Sequence, residues 1–410
     1  MAEQFISEER LPASAALSPS PGEAILEAAR ALRPVIRGYQ DDIERERRIP
    51  SPLVQQLRDA GLYRLVRPRV LGGAEVDQLT LLRAIELVSE GDGSVGWNVA
   101  TNAQTTLAAL ALSDDGVHEI FGGGDVILAG TIGTGGGKGV PVEGGYVVSG
   151  RWTFGSGCQE SDWMIGGFEV VDGAAPQSDA DRARSLWRGL LRSSEGTVIE
   201  TWDTTGLRGT GSHDWAVTDV FVPTHRTVAY PGQPTRNNWS RWPGLFYALP
   251  GPAFNGPHMA AVATGIARAA IDALTELAGS KVPRHQPGLL REQAQVQEWV
   301  GRAEALLGSA QAYRDAVTRE IWDTVTAGRS VSTEQLARCR LAACTAADNA
   351  MQATDLMFRA GGTTSIASGH RIARCWRDVH VVGQNLALLP EYYLLSGRYF
   401  VGLDPGEKLS

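Results

Sequence analysis

The chain has 410 residues, 43% of them hydrophobic and 20% charged, enough to bury a large core and, on length alone, to form two or three domains. A formal net charge of −8 argues against nucleic acid or an anionic membrane surface as the main partner, since both reward basic patches. Four cysteines (Cys158, Cys339, Cys344, Cys375) without CxxC spacing or a secretory signal read as reduced thiols of a cytoplasmic protein, and the apolar runs are too short or too interrupted to span a bilayer.

Residues 1–20 are rich in Ser, Pro and Ala without periodicity, which predicts a disordered tail. From Gly22 the apolar positions Ile25, Leu26, Ala29, Leu32 and Ile36 recur at helical spacing. Ser51-Pro52 reads as an N-cap with proline at the first helical position, opening a helix from Leu53 to Ala60. Thr80 to Glu90 and Ser94 to Leu112 predict two more helices, parted by Gly91-Asp92-Gly93. The second carries a polar stripe, Asn98, Thr101/Asn102 and Thr105, which faces either a cavity or solvent. These elements define an N-terminal helical domain over residues 21–124.

Residues 125–232 change character. Val126-Ile127-Leu128, Tyr146-Val147-Val148, Trp163-Met164-Ile165, Gly189-Leu190-Leu191 and Val217 to Val222 lie between Gly, Ser and Asp turns, the pattern of a compact antiparallel β domain. Gly173 to Arg184 reads as an exposed loop between strands. Over residues 233–410 helical spacing returns in Ala260 to Ala278, Leu289 to Ala327 and Thr333 to Phe358, alanine-rich and suited to a bundle. A last helix runs from Ile372 to Leu389 and stops at Pro390. No His/Cys/Asp/Glu cluster has metal-ligand spacing. The run Gly133 to Gly139 is no P-loop, because no Ser or Thr follows Lys138, and no GxGxxG strand-turn-helix unit offers a nicotinamide site.

Helices, a small β-rich middle with a Trp/Ser/Gly turn, and helices again resemble the acyl-CoA dehydrogenase superfamily over roughly residues 22–405. Leu128-Ala129-Gly130-Thr131 and Trp152-Thr153-Phe154-Gly155-Ser156 resemble its two isoalloxazine-contacting loops. Leu207-Arg208-Gly209-Thr210-Gly211-Ser212 through Val222-Pro223 is similar to the strand pair that ends its β domain. Arg284, Gly288 and Gln295 resemble a stretch that reaches a neighbouring subunit's flavin, with Pro287 where Phe is usual. Gly361-Gly362 and Arg377-Asp378 resemble the Gly-Gly turn and Arg-Asp pair that open its last helix. The resemblance implies an α+β fold with a helical N-domain, a central antiparallel β-barrel domain and a C-terminal four-helix bundle, assembled as a homotetramer.

Two departures separate the chain from the dehydrogenases themselves. Those enzymes need a carboxylate base to remove the proton alpha to a thioester. Leu386 stands at the usual Glu position with Gln384 and Asn385 beside it, and the helix after Gly256 offers only Asp272 and Glu276. Conversely, Asp92-Gly93-Ser94-Val95-Gly96-Trp97, Arg151-Trp152 with Ser156-Gly157, and Gly206 to Ser212 resemble the two-component (group D) flavin-dependent monooxygenases, of the p-hydroxyphenylacetate hydroxylase and dibenzothiophene monooxygenase kind. That implies FMN, or less expectedly FAD, delivered reduced by a separate NAD(P)H:flavin reductase. It also implies O2 as co-substrate, a flavin C4a-hydroperoxide, and a small aromatic or heteroatom-bearing substrate. An acyl-CoA dehydrogenase with a non-standard base, Glu276 or a residue from the Asp92 region, is the first alternative, and an inert flavoprotein-fold scaffold the second.

On this resemblance Gly130, Thr131, Trp152, Phe154, Ser156, Gly157, Arg284, Gly361 and Gly362 are expected at the flavin, and Trp97, Asn98, Asn102 and His258 at the substrate. Ser156, a small hydroxyl in a Gly-flanked turn, is expected to donate a hydrogen bond near N5 and the peroxide, or else only to satisfy its own turn. Trp152 and Phe154 either touch the ring or belong to the β core. Where related phenol hydroxylases carry histidines this chain has Asn102 (or Gln104) and Asn385, which orient an oxygen but cannot act as bases. His380 is read as catalytic or as a packed, hydrogen-bonded histidine. Arg377-Asp378 is read as an ion pair bracing its helix.

Overall fold

The structure is a computed structural model that describes residues 20–131, 133, 135–172, 178, 185–229, 242–406 and 409. The expected tail, apart from Ser20, lies outside the described residues, as does nearly all of the expected loop over residues 173–184.

Among the described residues six α-helices precede the strands: α1 (Pro21–Gly38), α2 (Gln40–Glu46), α3 (Ser51–Asp59), α4 (Gln78–Gly91), α5 (Gly93–Ala109) and α6 (Asp114–Phe121). Their starts are written locally. Ser20 and Glu23 form a reciprocal capping box on α1, Asp77 accepts from Thr80 N on α4, and Asp92 accepts from Ser94 N on α5. The start of α3 differs from expectation. Pro50 is its N-cap, because the Pro50 carbonyl already accepts from Leu53 N and Val54 N at 2.9 and 3.1 Å, so Ser51 lies inside the helix.

The strands are β1 (Leu128–Gly130), β2 (Gly137–Val142), β3 (Gly145–Gly155), β4 (Trp163–Val170), β5 (Leu186–Arg192), β6 (Thr197–Ile199), β7 (His213–Pro223) and β8 (Thr227–Ala229). They form one sheet in the order β6-β7-β3-β2-β4-β5-β8, with β1 also on β4. The expected antiparallel barrel is corrected on both counts. β1 and β2 both pair parallel with β4, Leu128 opposite Trp163 and Gly137 opposite Phe168, because the chain continues along one edge of β4 through a glycine-rich link. Among the described residues the sheet is mixed and open, ending on β6 and β8. Trp152 stacks on Trp215 with ring centroids 4.2 Å apart and donates its indole N–H to Gly167 O at 2.7 Å. A Cβ on Gly137 or Gly166 would sit 2.6 or 2.7 Å from that indole, so glycine is required where the ring crosses the sheet.

After the strands come α7 (Gly251–Ala278), α8 (Ala294–Thr326), α9 (Thr333–Gly361), α10 (Arg371–Val382) and α11 (Glu391–Phe400). Alanines on α7 and α9 keep these helices close: a Cβ on Gly256 would lie 2.9 Å from the Ala343 methyl, and one on Gly265 would lie 2.6 Å from Glu86 O of α4. α7 thus packs on α4, α8, α9 and α10 and joins the two helical layers. The expected last helix is shorter than its apolar pattern suggests. α10 ends at Val382, and Asn385 caps a separate turn over Leu386–Leu388 by accepting from Ala387 N at 2.9 Å. Among the described residues no helix is long and apolar enough to cross a membrane.

Candidate active site

Three pieces of chain meet along α5. One is the turn after β3, Ser156-Gly157, and another is the start of β1, whose Leu128 O faces Asn102 and Thr105. The third is the turn Leu207 to Ser212, which Leu207 enters with a positive φ of 50°. Trp97 on α5 donates its indole N–H to Ser156 Oγ at 3.0 Å. Ser156 Oγ lies 2.7 Å from Ser212 Oγ, which lies 2.7 Å from Thr210 Oγ1, which donates to Leu207 O at 2.8 Å. Gly157 N and Asn98 Nδ2 both donate to Thr210 O, at 2.8 and 3.4 Å. Trp97, Asn98, Ser156 and Gly157, named from sequence, are therefore brought together. Thr210 and Ser212 were legible as part of a motif but carried no assigned role.

The neighbouring loop is built for a close approach. Gly130 has φ 110°, and a Cβ there would fall 2.2 Å from Ile165 O, so no side chain fits. Thr131 N donates to Ile165 O at 2.9 Å and its hydroxyl to Thr153 O at 2.5 Å, tying the β1 end to β3. Phe154, with φ 59°, stands 66% exposed and edge-on to Trp202 at 6.0 Å. Of the two aromatic residues in that segment, Phe154 presents its ring outward. Trp152 is core, closed to a ligand by Trp215 and Gly166.

Other expected residues are placed elsewhere or otherwise engaged. Asn102 is buried and donates to Leu128 O at 3.3 Å beside the Thr105 hydroxyl at 2.9 Å, so its amide nitrogen anchors β1. Gln104 instead donates to Asn255 Oδ1 of α7 at 3.4 Å, a pair that sequence reasoning did not identify because Asn255 has no local signature. His258 is fully buried on α7: Nδ1–H donates to Phe254 O at 2.6 Å, while Nε2 has no partner among the described residues. Burial pushes this imidazole down to about 4, so it is neutral with an open lone pair. His380 packs on Trp376 at 4.8 Å and hydrogen-bonds Trp376 O at 2.7 Å, the packed arrangement rather than a partner of Ser156. Arg284 stands exposed between α7 and α8, and Gly361 O accepts from Lys281 Nζ at 2.6 Å where Gly362 turns with φ 58°. None of the bonds uniting Trp97, Asn98, Ser156, Thr210 and Ser212 includes Asn385, His258, His380, Arg284 or Gly361.

Behind the Leu207 turn lie two buried carboxylates. Asp92 caps α5, and Asp378 Oδ1 of α10 accepts from Leu207 N at 2.6 Å. The expected Arg377–Asp378 pair does not form, because successive helical residues point in different directions. Arg377 instead reaches Glu44 at 2.8 Å, while Asp378 points inward. Burial, and then the charge of Asp92, hold Asp378 above the ordinary carboxylate range. A raised carboxyl contributes stability that is complete below its unfolded value and is lost as pH rises through the folded one. The wild-type protein is therefore expected to lose unfolding midpoint between mildly acidic and mildly alkaline pH. Asp378→Asn, which keeps the acceptor for Leu207 N, should flatten that loss; an equal slope in both proteins would show that the pair does not titrate this way.

Two family models match the chain: Acyl-CoA dehydrogenase, N-terminal domain, over residues 23–120, and Acyl-CoA dehydrogenase, C-terminal domain, over residues 258–389. Over 395 residues the chain is 31% identical to an indole-3-acetate monooxygenase of Pseudomonas putida, covering 96% of each protein. It is 28% identical over 383 residues to the flavin-dependent monooxygenase oxygenase subunit HsaA of Rhodococcus jostii, covering 91% of this chain and 97% of that one. Among solved structures, XiaF from Streptomyces sp. in complex with FADH2 and glycerol superimposes with a TM-score of 0.80 at 25% identity, over 94% of this chain and 96% of that one.

Proposed function

Because the chain belongs to the acyl-CoA dehydrogenase family, in its flavin-dependent monooxygenase branch, we propose that it is the oxygenase component of a two-component system. A separate NAD(P)H:flavin reductase supplies reduced FMN, with FAD as the other flavin, and one oxygen atom of O2 passes to a small aromatic or heteroatom-bearing substrate. The "oxygenase subunit" named for one relative supports a separate reductase, and FADH2 in the XiaF complex supports a reduced flavin. The reading extends to a cytoplasmic homotetramer whose helices α7–α10 form the bundle, with domains at 21–124, 125–232 and 233–410. In it Arg284 and the Gly361-Gly362 turn approach a partner's flavin.

The observation that carries the proposal is the hydroxyl cluster of Ser156, Ser212 and Thr210 under Trp97, set beside a glycine cradle that admits no Cβ. The residues fit a flat ring: Gly130 lets β1 lie tight against the Ile165 backbone, Ser156 is half-buried, and the buried Asn98 Oδ1 has no partner among the described residues. Reduced flavin, when bound, supplies the electrons that activate O2. Trp97 orients Ser156, Thr131 fixes the β1 end, and the Gln104–Asn255 pair and neutral His258 offer polar contacts for a substrate. The two carboxylates that α7 offers are poorly placed to serve the dehydrogenase alternative as a base. Asp272 faces Arg37 and Arg268 at 3.6 and 3.7 Å, and the Glu276 side chain is 66% exposed beside Arg371.

The test is a single turnover with enzyme loaded anaerobically with FMNH2 and mixed with isotopically labelled O2. The substrate panel begins with indole-3-acetate and simple phenols. One labelled oxygen in a product is expected. Absence of any oxygenated product, together with bleaching of bound oxidised FAD by an acyl-CoA, would overturn the proposal in favour of the dehydrogenase.

A further inference from the structure

The cluster around Ser156 has a direction, and the direction follows from counting hydrogens. At one end the Trp97 indole can only donate, so one lone pair of Ser156 Oγ is taken at 3.0 Å. At the other end a backbone carbonyl can only accept. Thr210 Oγ1 lies 2.8 Å from Leu207 O, an oxygen–oxygen approach that is repulsive without a hydrogen between them, so the Thr210 hydrogen is committed there. That carbonyl is itself fixed. Its oxygen also receives Thr210 N and Trp202 Nε1 at 3.1 and 3.0 Å, and the same residue's N–H is held by Asp378 at 2.6 Å.

With its own hydrogen spent, Thr210 Oγ1 accepts at 2.7 Å from Ser212, whose hydroxyl in turn accepts at 2.7 Å from Ser156. Ser156 has thus given its hydrogen to Ser212 and one lone pair to Trp97. Its remaining valence is a lone pair. The donor role expected from the sequence is reversed.

We propose that Thr210 and Ser212 are positioning residues that lock Ser156 as a hydrogen-bond acceptor, so that the site selects the flavin oxidation state whose ring nitrogen carries hydrogen. The inference rests on the flavin reading above. Reduced flavin carries N5–H and matches a lone pair, whereas oxidised flavin presents a lone pair at N5 and meets another. A buried polar group left without a partner costs enough to shift a binding ratio by about tenfold or more. The site therefore holds the reduced cofactor it receives from a reductase and lets the oxidised ring leave. Ser212→Ala frees the Ser156 hydrogen to turn toward the ring, and the discrimination falls.

The experiment measures dissociation constants of FMN and, anaerobically, of FMNH2 by fluorescence titration, and the midpoint potential of the bound flavin by slow photoreduction. Wild type should favour FMNH2. In Ser212→Ala and Thr210→Val the FMN/FMNH2 ratio of dissociation constants should drop about tenfold, and the two-electron midpoint should fall by ~30 mV. Thr210→Ser, which keeps the hydroxyl, should restore the wild-type ratio and potential. An unchanged ratio and potential in Ser212→Ala, with FMNH2 still bound, would overturn the relay alone. If the wild-type chain binds neither flavin, the function proposed above falls and the relay with it.

Discussion

Arg314→Ala is expected to cost the folded protein about 3–5 kcal/mol, a large share of the stability of an ordinary domain. Arg314 on α8 and Glu86 on α4 are buried to 1% and 3% side-chain exposure and meet at 2.9 Å. The same Glu86 oxygen accepts from Thr264 of α7 at 2.6 Å and Gln311 of α8 at 3.0 Å, while Arg83 approaches the other oxygen at 3.1 Å. Burial alone would raise this carboxyl, but Arg314 and the hydrogen bonds outweigh it and hold Glu86 down to about 2. Removing the guanidinium leaves a buried charge at the junction of three helices with only the part-exposed Arg83 beside it. Urea unfolding of the purified protein at neutral pH measures the loss. Replacing both partners with methionine should recover most of it, because the penalty comes from the unpaired charge rather than from the missing pair. A loss below ~1 kcal/mol in the single variant would mean that water reaches the site.

The same pair sets an acid limit. A depressed carboxyl contributes stability that is present above its unfolded value and lost as pH falls through the folded one. For Glu86 that window runs from the ordinary glutamate value of 4.5 down to about 2, and about 3 kcal/mol is at stake across it. In Arg314→Ala burial dominates, so this acid-side loss should disappear.

Ser156→Ala is expected to uncouple the enzyme while leaving FMNH2 bound. The variant removes the acceptor of Trp97 N–H and the only side-chain hydroxyl of the turn Phe154-Gly155-Ser156-Gly157, but spares the Gly130 cradle and the backbone bond from Gly157 N to Thr210 O. Losing one half-buried hydrogen-bonded group of this kind shifts a partition between two outcomes by about tenfold or more. The ratio of hydrogen peroxide to oxygenated product should rise by that factor. Peroxide and product assayed from the same turnover measure it, with FMNH2 titration as the control. Unchanged coupling would remove Ser156 from oxygen transfer and leave it a turn-former.

Features that depend on neighbours a few residues apart were legible in the order of amino acids alone. Apolar spacing placed helices from Gly22, Thr80 and Ser94, and each starts one or two residues earlier because Ser20, Asp77 and Asp92 cap their own first turns. The Trp152-to-Gly157 turn marked the candidate site, and Leu386 at the usual base position argued against desaturation, since both are facts of residue type and order. Where two neighbouring residues of similar chemistry compete, packing against distant segments chose between them. Trp152 went into the core and Phe154 to the surface because Gly137 and Gly166 leave room for an indole on one face of β3. Asn102 was spent on Leu128 O, which freed Gln104 for Asn255. Asp378 turned from Arg377 to Leu207 N. The parallel pairing of β1 and β2 with β4 was hidden as well, because a strand's pattern records which face is buried and not which strand lies beside it. The direction of the Ser156 hydroxyl depends on a carbonyl that Asp378 and Trp202 hold in place, and partners so distant in sequence leave no periodic trace.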